Sequence, residues 1–315
     1  MNFDIHGLWP ALLLPVSSSG ELDTARAIAH AHRMLNAGSD GVTLFGTTGE
    51  GPAFTVAERK ALLEAMLDTG NNHGACHPIR PDQIIVTITA LALGDAIELG
   101  RHASRLGVHR QMLMPPFYFN QPRDAGLVEA VSQVVRGIGD DNLKLLLYHF
   151  PAMSTFGFSH AAIAELLRRH AGQVAGVKDS SGDLAHAIGL AQAFPALSIL
   201  VGAEPHVAPV MVQGGSGSIN GLANVAPGLM RRVINAPGAV SAADVQLMAS
   251  LLDLLGVMPD LPFVAVYKTM LAEQTGDDTW LNVRAPLNPL DNTEAQAVRK
   301  GYRAAVSSGA PLEII

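Results

Sequence analysis

At 315 residues, 48% hydrophobic and 16% charged, the chain suits one large α/β domain with an appendage, or two small domains, and not a disordered segment. A net charge of −7 with no run of Lys or Arg speaks against a nucleic-acid surface, and no stretch of about 18 apolar residues is present to span a membrane. The single cysteine, Cys76, excludes an intrachain disulfide and fits a reducing compartment. With no basic leader ahead of the first apolar run, a soluble, cytoplasmic protein is expected.

Residues 7–15 read as a first buried strand, followed by a Ser/Gly turn at 17–20. Helical periodicity over 22–37 stops at Gly38, a C-cap. A second strand, 41–45, runs into Gly46-Thr-Thr-Gly-Glu50, and Thr55 with Glu58 forms a capping box that opens a helix over 55–69. The alternation continues with strands at 83–89, 111–114, 143–148, 174–178, 197–201 and 217–220. Helical patterns at 95–106, 124–138, 159–170 and 186–194 separate most of them.

Eight strand-like runs recurring every ~25–40 residues with helical patterns between neighbours are the mark of parallel βα units. Packed into about 225 residues, they match an eight-stranded (β/α)₈ TIM barrel better than an open sheet. The barrel is expected over 1–225, and 226–315 is expected to be a C-terminal three-helix extension with helices at 241–255, 261–275 and 293–307. Asp253, Lys268 and Arg299 in that extension are expected on solvated helix faces.

Chemistry in a barrel gathers where the strands end. The second strand delivers Thr47 and Thr48 in a glycine-flanked turn, whose exposed N–H groups suit a carboxylate. The fifth strand delivers Tyr148 and the sixth Lys178, whereas Lys144 begins its strand and lies at the opposite face. A lysine leaving a strand buried on both faces is partly desolvated, which favours its neutral, nucleophilic amine.

Each element also has a plainer explanation. Lys178 can snorkel to solvent from a strand end, 46–50 can be an ordinary βα turn, and Tyr148 can be a core tyrosine. Gly214-Gly-Ser-Gly-Ser218 precedes a strand, the wrong end for a phosphate cradle. His73, Cys76 and His77 are spaced for a metal but have no fourth ligand nearby, so no metal site is expected. His30 and His32 share a helix but point to different faces.

Three stretches together, Gly46-Thr-Thr-Gly-Glu50, Tyr148-x-x-Pro151 and Gly176-Val-Lys178-Asp-Ser-Ser-Gly182, resemble the dihydrodipicolinate synthase/N-acetylneuraminate lyase superfamily of class I, Schiff-base aldolases. The resemblance covers nearly the whole chain. It implies that Lys178 forms an imine with pyruvate or another 2-oxo acid and that no further cofactor is needed. Thr47 and Thr48, with Gly49 beside them, would bind the carboxylate, and Tyr148 would shuttle a proton. The segment Pro116-Phe-Tyr118 resembles one that sends a second tyrosine across a subunit interface, which makes Tyr118 the candidate. It also implies a homotetramer built as a dimer of dimers.

The departures from the family pattern bear on the substrate. Dihydrodipicolinate synthases carry an arginine five residues after the strand tyrosine, where this chain has Met153, and a thioether cannot grip a carboxylate. Pro151-Ala-Met-Ser154 is closer to the Pro-Ala-Leu-Ser of sugar-acid lyases. Glu204, Ser181 and Asn220 are placed near the second substrate, and Gly202, Ile219 and Met153 are expected among the substrate-binding residues. The expected activity is lysis or formation of a C–C bond in a 2-oxo-3-deoxy sugar acid or a related hydroxy-oxo acid. Dihydrodipicolinate synthase proper, a sister dehydratase and a catalytically silent binding protein stand as alternatives.

Overall fold

The computed structural model describes residues 5–68, 78–120, 122–256 and 263–308. Its centre is one parallel sheet of eight strands: β1 (Gly7–Leu8), β2 (Val42–Leu44), β3 (Ile84–Thr87), β4 (Arg110–Leu113), β5 (Lys144–His149), β6 (Val174–Asp179), β7 (Ser198–Val201) and β8 (Gly217–Ser218). They pair in the order β1-β8-β7-β6-β5-β4-β3-β2. The remaining seam closes through a parallel bridge between Ala11 and Thr43, where Leu12 N–H donates to the Thr43 carbonyl at 2.9 Å and Thr43 N–H to that of Pro10 at 2.8 Å. The sheet is therefore a barrel. The expected first strand at 7–15 is shorter as built, because Pro10 has no N–H with which to continue a ladder.

Twelve helices accompany the strands among the described residues: α1 (Thr24–Asn36), α2 (Val56–Leu67), α3 (Leu93–Arg105), α4 (Asp124–Ile138), α5 (Pro151–Ser154), α6 (His160–Arg169), α7 (Leu184–Ala193), α8 (Val207–Val212), α9 (Pro227–Asn235), α10 (Ala242–Gly256), α11 (Phe263–Thr275) and α12 (Asn292–Ser308). Their starts follow local chemistry. The Asp23, Ser159 and Asp183 side chains accept the N–H three residues on, and Thr55 and Glu58 form the full capping box. α5, α8 and α9 were not legible in the sequence, since runs of four to nine residues show too little periodicity. The last three helices pack on one another, and α10 and α11 also touch the segments after β7 and β8. They thereby reach the strand ends where the site lies.

Alternation along the strands divides the core. On β5, Leu145 and Leu147 join the large cluster between sheet and helices, while Leu146 and Tyr148 face the barrel interior. On β6, Val174 and Val177 both belong to the outer cluster although they lie three positions apart, an odd step. A register shift explains this: Leu145 pairs with Val174 but Leu146 pairs with Gly176, which leaves Ala175 as an extra residue. The bulge resets the parity of the strand. Lys178 then pairs with Tyr148. Gly176 makes the bulge possible, for a Cβ there would lie 2.1 Å from the Ser198 carbonyl oxygen.

Candidate active site

A cleft of about 300 Å³ opens at the C-terminal ends of the strands, and both Lys178 and Tyr148 line it. Lys178 is 4% exposed, and its Nζ sits 4.1 Å from the centroid of the Tyr148 ring. Among the described residues no carboxylate lies within ion-pair distance of it. The Tyr148 hydroxyl lies 3.1 Å from Thr47 Oγ1, so a proton has a direct path between them. An amine, a phenol and a hydroxyl thus meet in one recess.

The threonines sit on a strained turn. Phe45 and Glu50, at its two ends, adopt φ of 58° and 55°, left-handed values that cost a non-glycine residue about 1–2 kcal/mol each. Hydrogen bonds from Glu50 N–H to the Thr47 carbonyl and from Gly51 N–H to that of Gly46 close it. Gly51 must be glycine, since a Cβ would fall 1.8 Å from the Phe45 carbonyl oxygen. No acceptor among the described residues takes the N–H of Thr47 or Thr48, and both residues line the cleft. Unpaired N–H groups at a cavity wall are an anion site in waiting.

Glu50 turns its side chain away from the cleft, into the protein. Its carboxylate meets the Lys268 ammonium, both side chains fully buried, and accepts the Arg284 N–H at 2.6 Å. Lys268 Nζ also donates to the Asn282 carbonyl at 2.8 Å. Burial pulls the Lys268 pKa below the ordinary lysine range, and the Glu50 charge opposes that shift. The expectation that Lys268 lies on a solvated face is therefore wrong. Every residue from Val264 to Ala272 is buried, so α11 has no solvated face in that stretch. Asp253 is exposed as expected, while Arg299 is half-buried against Glu273.

At the far side of the cleft stands Glu204, 8% exposed. Its Oε1 accepts the Leu222 N–H at 3.0 Å and the Tyr267 hydroxyl at 3.2 Å. Burial raises its pKa above the usual carboxylate range, and burial beside Glu204 raises that of Tyr267 well above 10. Ser181, Gly202, Ile219 and Asn220 line the same cleft. The Asn220 amide donates to Ser218 Oγ at 2.7 Å and its Oδ1 accepts the Ala223 N–H, so its side chain is held in place. Among the described residues that line it, Lys178 and Glu204 are the only charged ones.

Three sequence-derived candidates lie elsewhere. Gly49 lines neither this cleft nor its neighbour; it lets the turn pack on the Leu12 carbonyl, 2.6 Å from where a Cβ would be. Met153 borders a second, apolar cleft of about 160 Å³ with Met114 and Phe117, on the other side of Thr47 and Tyr148. Tyr118 lines neither cleft and is 75% exposed. The reverse omission also occurs. Phe150, Ser180, Leu255, Phe263 and Tyr267 line the first cleft without having been singled out, and three of these come from α10 and α11. An apolar helix bearing a tyrosine and a lysine side by side was the available signal.

Behind the cleft, His149, Asp179 and His186 gather at metal-like spacing. Several of their ligand atoms are already engaged. The two rings stack at 4.3 Å and 26°, so their in-plane lone pairs run nearly parallel and cannot converge on one ion. His149 Nδ1 accepts the Phe158 N–H, while Asp179 accepts from Ser181 and His186. Burial first, and then His186, keeps His149 below the ordinary histidine range. The trio clamps the 180–183 loop. His73, Cys76 and His77 lie outside the described residues. His30 is buried and bonds Asn224 Oδ1 at 3.0 Å, a core histidine.

Comparison with known proteins bears out the resemblance carried by the three motifs. A profile described as the Dihydrodipicolinate synthetase family matches residues 4–305. The chain is 32% identical over 312 residues to an uncharacterized DapA-like lyase of Chloroflexus aurantiacus, covering 97% of this chain and 99% of that one. A solved dihydrodipicolinate synthase from Agrobacterium tumefaciens superposes with a TM-score of 0.85 at 32% identity, over 96% of this chain and 99% of that one. YagE, a family protein of E. coli K12 solved in complex with pyruvate, is alike in fold, with a TM-score of 0.83 at 23% identity over 96% and 98%. No described helix is long and apolar enough to cross a membrane. The chain belongs to the dihydrodipicolinate synthetase family and is an enzyme of the lyase class.

Proposed function

We propose that this enzyme is a class I lyase that holds pyruvate, or another 2-oxo acid, as an imine on Lys178 and makes or breaks a carbon–carbon bond at the adjacent carbon. The single observation that carries this is the placement of the Lys178 amine beside Tyr148, whose hydroxyl lies 3.1 Å from Thr47 Oγ1, with no carboxylate among the described residues in ion-pair distance of the amine. The amine adds to the ketone and water leaves, giving an iminium. Loss of a proton from the neighbouring carbon gives an enamine, which attacks an aldehyde; cleavage is the reverse. Tyr148 passes the proton to or from the aldehyde oxygen, with Thr47 as its partner. The Thr47 and Thr48 N–H groups receive the carboxylate. No covalent cofactor beyond Lys178 is required.

For the second substrate, the cleft favours an uncharged aldehyde such as that released from a 2-oxo-3-deoxy sugar acid. Among the described residues no arginine lines it, and Met153 stands outside it. A synthase condensing pyruvate with aspartate semialdehyde has to hold a second carboxylate, and the described residues of the cleft offer no second cation for it. Glu204, Ser181 and Asn220, which line the same cleft, are the proposed partners of the aldehyde hydroxyls. Exposure of Tyr118 outside its own cleft suits the role of reaching a neighbouring subunit, within a homotetramer.

The test is intact mass after incubation with pyruvate and borohydride, followed by peptide mapping. A single reduced pyruvyl adduct on Lys178 is expected. A folded enzyme that gives no adduct with pyruvate or with longer 2-oxo acids would overturn the imine mechanism.

A further inference from the structure

We propose that Lys268, acting through Glu50, is a positioning residue for the Thr47–Thr48 turn, and so sets the affinity for the 2-oxo acid without touching it. The inference rests on the proposed role of that turn as the carboxylate site. Neither Lys268 nor Glu50 lines the cleft. The pair's direct bonded route to the cleft runs through Glu50 into the turn that carries Thr47 and Thr48.

The turn needs such a hold. Its hydrogen bonds from Glu50 and Gly51 close only while Glu50 stays left-handed, a conformation its backbone does not prefer. The Glu50 side chain is the handle that fixes it there. One of its oxygens takes the Lys268 ammonium and the other takes the Arg284 N–H, from positions more than 200 residues along the chain. Lys268 is fully buried, so no water stands ready to replace it. Its other bond, to the Asn282 carbonyl, anchors the ammonium from the opposite side. One helix turn thus serves both ends of the cleft: Tyr267 bonds Glu204, and Lys268 bonds Glu50.

If the pair were only a staple of the fold, its removal would lower stability and leave pyruvate binding in the folded protein unchanged. The distinguishing experiment measures the pyruvate concentration that half-saturates borohydride trapping on Lys178. The proteins are wild type, the Glu50→Gln/Lys268→Met double variant and Lys268→Arg, each at a temperature where circular dichroism shows it folded. Asp244→Asn serves as the control. It weakens the Arg232–Asp244 pair between α9 and α10, away from the turn.

The expected result is a half-saturating concentration raised roughly tenfold or more in the double variant, the scale on which displaced supporting groups act. The adduct should still form on Lys178 at high pyruvate. Lys268→Arg should recover most of the affinity, and Asp244→Asn should lower the melting temperature alone. A folded double variant with the wild-type value overturns the inference. Should the double variant not fold, Glu50→Gln alone decides, because it keeps the Arg284 acceptor while weakening the hold on Lys268; an unchanged value again overturns it. Failure of the wild type to trap any 2-oxo acid would instead sink the imine mechanism, so the two failures are distinguishable.

Discussion

Lys178 and Lys268 are taken out of water to nearly the same degree, yet their surroundings are opposite. Lys268 has a buried carboxylate and a carbonyl oxygen as partners, and the Glu50 charge opposes the lowering of its pKa by burial. Lys178 faces a cavity and the ring of Tyr148, with no carboxylate among the described residues in ion-pair distance. A paired lysine holds structure and an unpaired one is available for chemistry. The partner decides which role a buried amine takes, and burial alone does not.

The contrast is sharpest if each lysine is removed in turn. Lys178→Ala should lower turnover by about 10⁴-fold or more, since the imine has no second route, while the melting temperature stays near that of the wild type. Assays of kcat with thermal melts check both halves, and a folded variant retaining full activity would break the comparison. Lys268→Met should do the reverse in kind, costing about 3–5 kcal/mol of stability by stranding the Glu50 charge. Urea unfolding should then show Glu50→Gln in the same chain returning part of that loss. A single variant as stable as the wild type would mean that Lys268 is not paired in solution.

Glu204 provides the smallest and most graded test. Burial raises its pKa in the folded protein, so the folded state holds the proton more tightly than the unfolded one. Its contribution to stability is present below the ordinary carboxylate range and is lost as pH rises through the raised value. Glu204→Gln, neutral at every pH, should therefore gain stability relative to the wild type as pH increases from about 4.5. Parallel melting curves of the two proteins across pH would contradict the assignment.

Much of this was legible in the sequence, and for identifiable reasons. Apolar runs marked the eight strands because nearly every strand residue is buried, and the Thr55–Glu58 capping box marked a helix start because a cap acts within three residues. The position of Lys178 at a strand end followed from the apolar run before it, and Thr47, Thr48 and Tyr148 followed in the same way. Glu204 and Asn220 came from the family resemblance and do line the cleft. What these have in common is that the information is local, or is carried by a motif.

Tertiary structure alone decided the rest. The bulge at Ala175 that turns Lys178 inward beside Tyr148 depends on the register of β5 against β6, which no stretch of one strand encodes. Whether Met153 shares the cleft of Lys178 depends on which side of Tyr148 the chain leaves β5, and it leaves on the side of the second cleft. Lys268 looked like a surface residue because a lysine has no local sign of a partner 218 residues away. Its charge could be placed only once Glu50 was folded against it. Short-range preference and pattern determined the elements and their order; the pairing of charges, the strand parity and the walls of the cleft needed contacts between residues distant in sequence.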